Sequence, residues 1–217
     1  MDVEKVPVAV LVSGTGTNLQ ALIHACADPA YPAEIVKVVS NVAGVRALER
    51  AEAAGIPTAV VDHRGLGRVD FEQRLLAELG GVDWVALAGF MRVLGPTFLS
   101  AFPGRILNVH PALLPAFRGL HAVRQALAAG VTQTGCTVHL VDGGTDTGPI
   151  LCQGTCPVYE EDDEQRLSAR IRLLEHALYP MALRWAVEGR VFVEEQIARV
   201  VLRDGERRWW VELDRAR

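Results

Sequence analysis

Apolar runs of strand length alternate with stretches of helical periodicity from the beginning of the chain. Residues 6–12 (VPVAVLV) read as a buried strand, and residues 18–27 as a helix with Leu19, Leu22, Ile23 and Cys26 on one face. Residues 35–40 give a second strand, 45–54 a helix closed by Gly55, and 58–61 a third strand. Helical spacing returns over 69–79 and is followed by a fourth strand at 84–88 (WVALA). A β-α-β-α-β-α-β order implies parallel strands joined by right-handed crossovers. The expected fold is therefore α/β, with a doubly wound, mostly parallel sheet.

After Pro96 the pattern changes. A short strand at 106–109 leads into a proline-rich loop at 111–119, then a helix at 123–129 ended by Gly130. Residues 134–141 alternate and 150–158 form another extended piece, so the two read as strands flanking the loop 142–149. A long amphipathic helix is expected over 164–185, punctuated by Pro180. The tail at 191–213 reads as a short C-terminal β-hairpin with Asp204 and Gly205 as its tight turn. With no internal repeat or linker, the expected organisation is one domain over residues 1–188 and an extension over 189–217 that belongs to the same unit.

Half of the 217 residues are hydrophobic, enough for one sizeable core. Lys plus Arg number 22 against 26 Asp plus Glu, a net charge of -4, so no diffuse positive field exists for nucleic acid or an anionic membrane. A bound phosphate must be held locally. No apolar run reaches the ~20 residues that span a bilayer, and residues 1–7 lack the basic-then-apolar character of a secretory leader, which makes the cytoplasm the expected location. The four cysteines, Cys26, Cys136, Cys152 and Cys156, are too scattered for a disulfide framework. Cys152 and Cys156 have a spacing that could hold metal, but without a nearby histidine they read as buried free thiols.

The segment SGTGTNLQ follows the first strand, where open α/β sheets bind ligands. Backbone amides of a glycine-rich turn and a helix N-terminus favour a phosphate there. Leu19 stands where a dinucleotide fingerprint needs its third glycine, and no acid follows the second strand. The turn reads as a monophosphate site using Gly16, Thr17 and Asn18; a plain tight turn with Thr17 or Asn18 as an N-cap is the alternative. Further on, Asn108 and His110 lie two apart in ILNVH, so on a strand they share a face, and Asp146 sits in the glycine-rich loop VDGGTDTGP. An amide donor, an imidazole and a carboxylate suffice for acyl transfer without a metal, although a hydrogen-bonded histidine at a strand end would leave a similar trace. His24, His63, His121, His139 and His176 show no ligand spacing, so no zinc site is expected.

Four segments, SGTGTNLQALI, AGFMRVLGPTFL, ILNVHPALLPAF and GCTVHLVDGGTDTGPI, together resemble the folate-dependent phosphoribosylglycinamide formyltransferases of purine biosynthesis, within the wider formyltransferase superfamily. The similarity runs from about Val8 to Trp185 in the same order. It implies a formyltransferase fold and an enzyme of one-carbon metabolism. The implied reaction carries the formyl group of 10-formyltetrahydrofolate, as co-substrate, to the amine of N1-(5-phosphoribosyl)glycinamide, with no metal. Carried over, the resemblance assigns Gly16, Thr17 and Asn18 to the phosphate and Arg172, Leu173, Leu174 and Glu175 to other parts of the ribonucleotide. It assigns Arg68, Met91, Arg92, Val93, Leu94, Asn108 and the loop Asp142, Gly143, Gly144, Thr145 and Asp146 to the folate pocket, with Arg64 as the neighbour that competes with Arg68 for that role.

In the implied mechanism Asn108 and protonated His110 stabilise the oxyanion of a tetrahedral species, while Asp146 raises the His110 pKa and relays a proton. The expected partners are small molecules, with neither nucleic acid nor membrane, for a monomer or homodimer. The alternatives are a formyltetrahydrofolate hydrolase using the same three polar residues and a non-catalytic folate or nucleotide binder. Hydrolases of the superfamily generally carry an extra N-terminal domain and its tRNA-formylating members an extra C-terminal one; an early first strand and a short tail are expected to fit neither.

Overall fold

Val8, Ala9, Val10, Leu11 and Val12 are completely buried, because the first strand is covered on both faces. In the computed structural model, which describes residues 4–211, that strand is β1 (Val6–Val12). It is followed by α1 (Thr17–Cys26), β2 (Ala33–Ser40), α2 (Arg46–Ala53), β3 (Thr58–Val60), α3 (Arg68–Ala77), β4 (Trp84–Leu87), α4 (Pro96–Leu99) and β5 (Ile106–His110). Then come α5 (Ala122–Ala128), β6 (Gln133–Leu140), β7 (Ile150–Pro157), α6 (Glu164–Val187), β8 (Val191–Glu194), β9 (Ile197–Val200) and β10 (Trp209–Val211).

Strands one to seven and β10 form an eight-stranded sheet in the order β10-β7-β6-β5-β4-β1-β2-β3. Its pairs are parallel except for β5 with β6 and β6 with β7, so β6 alone runs against the rest. The expected mostly parallel, doubly wound sheet is what the chain forms. Alternate residues of β1 divide the core: Val8, Val10 and Val12 pack with Leu19, Leu22 and the buried face of α6, while Ala9 and Leu11 pack with Phe71, Leu75 and Phe98. The helix α6 continues through Pro180. Its Tyr179, completely buried, directs its hydroxyl at the carbonyls of Leu87 (2.9 Å) and Leu107 (3.1 Å), tying α6 to two central strands.

Three features differ from the sequence reading. Strand β6 is buried over all but its first residue, so its apparent alternation does not mark a solvent face. The four-residue α4 is too short to leave a periodic signal. The hairpin exists as β8 and β9, but its turn is Glu195-Gln196, both with positive φ (49° and 66°), the geometry a two-residue hairpin loop demands. Asp204 and Gly205 instead turn the chain back so that β10 joins the main sheet parallel to β7. Residues 212 and 213 of the expected hairpin lie outside the described residues.

Candidate active site

The strand order reverses between β1 and β4, since the chain winds outward from β1 through β2 and β3 and then returns to β4 on its other side. A crevice opens at such a point beyond the carboxyl ends of the strands. Two adjoining hollows occupy it, and both are lined by Gly89 and Met91.

The smaller hollow, about 270 Å³, is lined by Ser13, Gly14, Thr15, Gly16, Thr17 and Asn18. Gly16 precedes α1 with φ +71°, and a Cβ there would lie 2.7 Å from the Cα of Ala47, so only glycine fits. The guanidinium of Arg50 on α2 donates to the Thr15 carbonyl at 2.9 Å and braces the turn. This leaves a braced, glycine-rich turn opening a ten-residue helix, with the first amides of α1 available to an anion.

Asn18 does not point its amide nitrogen at the turn; it donates to Glu175 at 2.9 Å, and its buried Oδ1 has no partner. Glu175 is the one residue of its segment that this contact brings to the site. Arg172 is half-buried, Leu173 is exposed and Leu174 lies in the core, because four consecutive helical residues point around the whole circumference. Burial raises the Glu175 pKa to about 7, against the hydrogen bond from Asn18 and the charge of Arg172.

The native state therefore binds a proton that the unfolded chain releases between pH 4.5 and about 7. Stability from this group falls as pH rises through that window, and the penalty, about 3 kcal/mol, is fully present above it. Glu175→Gln is expected to raise stability at pH 8 by up to that amount and to change it little at pH 4, as read by denaturant unfolding at the two pH values.

The larger hollow, about 340 Å³, falls within the size range of small-molecule sites. The β4–α4 loop forms one wall, including Met91, Arg92, Val93 and Leu94, and Asp142, Gly144, Thr145 and Asp146 form part of another. Gly143 is not among its lining residues. Nor is Arg68, whose guanidinium sits by Gly95, where a Cβ would meet its Nε at 2.9 Å. Arg64 is exposed and held by Asp62 at 2.6 Å. The far end of the loop is anchored by buried Glu72, whose carboxylate accepts the amides of Gly95 (2.5 Å) and Phe98 (3.2 Å).

Asn108, His110 and Asp146 converge at the floor of this cleft. The Asp146 carboxylate lies 3.3 Å from His110 Nδ1, accepts the Gly119 amide at 2.8 Å and receives Asn108 Nδ2 at 3.4 Å. Asp146 itself sits at φ +52° in the glycine-rich loop. The other ring nitrogen of His110, Nε2, donates to the Phe117 carbonyl at 2.8 Å. Burial acts to raise the Asp146 pKa, but the adjacent His139 ring, the Gly119 amide and the nearby His110 together hold it below the ordinary carboxylate range.

For His110 the expectation of a raised pKa is reversed. Burial lowers it, and the Phe117 carbonyl and Asp146, which act upward, only partly offset that. A fourth group, His139, was not separable from the other histidines in the sequence. The β5–β6 register sets it opposite Asn108. Its Nδ1 donates to the Leu140 carbonyl at 2.7 Å, leaving Nε2 to accept from Asn108 at 3.2 Å, and Nε2 lies 3.6 Å from Asp146. Among the described residues, no group of three or more His, Cys, Asp or Glu is arranged to hold a metal, and no helix is long and apolar enough to cross a membrane.

Residues 6–183 match the family model described as formyl transferase. The chain is 49% identical over 195 residues to the trifunctional purine biosynthetic protein adenosine-3 of Gallus gallus, covering 88% of this chain and 19% of that protein, so it spans about a fifth of that relative's length. It is 41% identical over 203 residues to the phosphoribosylglycinamide formyltransferase of Escherichia coli K12, covering 92% of this chain and 94% of that one. The crystal structure of glycinamide ribonucleotide transformylase 1 from Symbiobacterium toebii superposes with a TM-score of 0.85 at 44% identity, covering 91% of this chain and 94% of that chain.

Proposed function

Because the chain belongs to the formyl transferase family, we propose that it transfers the formyl group of 10-formyltetrahydrofolate to the amine of N1-(5-phosphoribosyl)glycinamide, a step of de novo purine biosynthesis. The observation that carries this reading is the pair of hollows joined at Gly89 and Met91, one suited to a phosphate and the other apolar, with three convergent polar residues at the floor of the second. Residues 1–188 form the catalytic unit and 189–217 its extension. The substrates are small molecules, no metal takes part, the setting is cytoplasmic, and the enzyme works as a monomer or homodimer.

Gly16, Thr17 and Asn18 hold the phosphate, and Glu175, steadied by Asn18, meets the polar groups of the ribonucleotide. The cleft walls from Met91 to Leu94 and from Asp142 to Asp146 hold the folate. The amine attacks the formyl carbon, a nitrogen–carbon bond forms, and negative charge gathers on the former carbonyl oxygen. Asn108 turns one amide proton from Asp146 to that oxygen, a donor contributing ~3 kcal/mol in a dry site, and the positive charge of the His110 imidazolium stabilises it through space while Nε2 stays on the Phe117 carbonyl.

The oxyanion forming beside His110 favours its imidazolium against burial, with the Asp146 carboxylate already in place. The bond to the folate nitrogen then breaks, and the amine proton passes through water by way of Asp146 to that nitrogen. A spectrophotometric assay of folate release, with and without the ribonucleotide, tests the reading in wild type and His110→Ala. Release that requires the ribonucleotide and collapses in the variant is expected. Release without it would make the protein a hydrolase, and no release in wild type would make it a binder.

A further inference from the structure

The loop 111–119 supplies both bonds that orient the reactive pair, the Phe117 carbonyl on His110 and the Gly119 amide on Asp146. What fixes this loop from below is a polar cluster that the mechanism above does not use. Thr137 on β6 is completely buried, and its hydroxyl donates to the Ala112 carbonyl at 2.7 Å while accepting the Leu114 amide at 3.0 Å and Gln153 Nε2 at 3.0 Å. That exhausts a hydroxyl's capacity of one donor and two lone pairs. Gln153 on β7 spends its second amide proton on the Leu114 carbonyl at 2.9 Å. Every donor in the cluster is matched, and a hydrogen-bonded network centred on a completely buried hydroxyl holds one geometry. The backbone of Gln153 is itself secured from the opposite side, its amide donating to the Arg208 carbonyl at 3.0 Å as β10 joins the sheet.

We propose that Gln153 is a positioning residue for the reaction: acting through the Thr137 hydroxyl and the Leu114 carbonyl, it holds the 111–119 loop so that the Phe117 carbonyl stays on the His110 ring. Gln153 lines neither the phosphate hollow nor the folate cleft, so its replacement takes no group from either binding surface and acts only through the loop, whose Pro111 and Gly119 edge the cleft. The Phe117 hydrogen bond acts to raise the His110 pKa against burial, with Asp146 and His139 as the titratable groups facing the ring and His121 and Glu164 lining the same cleft. Loosening the loop therefore lowers that pKa further.

The test uses the full chain carrying Gln153→Met, which keeps length and volume and removes both donors. This inference rests on the formyl-transfer reading for its kinetic readout, so wild-type activity is established first. The variant is expected to lose about 10- to 100-fold in kcat, with KM for each substrate within about twofold of wild type, since displacing a catalytic group by ~1 Å costs about that much. The limb of its kcat–pH profile that belongs to His110 is expected at lower pH. A folded variant with wild-type kcat and an unshifted limb, or with a lower Tm as its only change, would overturn the proposal.

If Gln153→Met does not fold, Thr137→Val and Thr137→Ser replace it. Val should reproduce the loss and the shifted limb, and Ser, which keeps the hydroxyl, should restore both; a Val variant with the wild-type profile would overturn the proposal. Nitrogen-15 NMR of the His110 ring gives a readout independent of activity. A hydrogen-bonded Nε2 proton in wild type that shifts in the variant supports the inference even if no formyl transfer is found, and an unchanged resonance contradicts it.

Discussion

Asp146→Asn is expected to lower kcat by about 10³-fold while KM for either substrate and the fold stay near wild type. Asparagine is a clean probe at this position because it tolerates the left-handed φ of +52°, so the backbone has no reason to move. Its carbonyl oxygen can still accept the Gly119 amide that now binds Asp146 at 2.8 Å. What disappears is the charge 3.3 Å from His110 Nδ1, and with it the main influence of a neighbouring charge that favours the imidazolium against burial. The loss corresponds to about 4 kcal/mol of barrier. Since the Asp146 carboxyl is held below its ordinary range, a limb in the wild-type profile near neutrality belongs to another group. Steady-state kinetics across pH, alongside circular dichroism, checks the expectation, and full activity at every pH would remove the charge coupling from the mechanism.

Gly148→Ala is expected to cost about 10²-fold in kcat by a different route. A Cβ at Gly148 would lie 1.9 Å from the Leu140 carbonyl oxygen and 3.3 Å from the Asp142 amide nitrogen. Backbone cannot yield by more than an ångström at that point without opening the base of the 142–149 loop, which the Leu140 amide closes on the Pro149 carbonyl at 2.9 Å. Asp146 rides on that loop, so its contacts with His110 and Asn108 are lost together. The variant should also unfold at lower temperature. Kinetics and thermal unfolding of the same preparation separate it from Asp146→Asn, whose Tm is expected to hold.

The parallel half of the fold was legible because strands buried on both faces leave continuous apolar runs, as β1 does, and because Gly55 and Gly130, both at positive φ, mark helix ends. The convergence of Asn108 and His110 on one cleft was legible for the same local reason, two residues on one face of β5. Long-range contacts were not. Glu175 meets Asn18 across 157 residues, and His139 reaches Asn108 only through the antiparallel register of β6, which no local spacing encodes. The hairpin turn was misplaced because Asp204-Gly205 carries the stronger turn composition, whereas Glu195-Gln196 takes the positive φ values without it. Thr137 and Gln153 gave no signal at all, being ordinary polar residues whose importance lies in what they meet.

The most direct test of the account follows the formyl carbon. The protein is incubated with 10-formyltetrahydrofolate carrying ¹³C in its formyl group, together with the glycinamide ribonucleotide, and the products are resolved by mass spectrometry and ¹³C NMR. The account predicts the label in a new amide on the ribonucleotide, formed in step with deformylated folate and about 10³-fold more slowly when Asp146→Asn replaces the wild type. Label recovered as free formate, with the ribonucleotide unchanged, would contradict it.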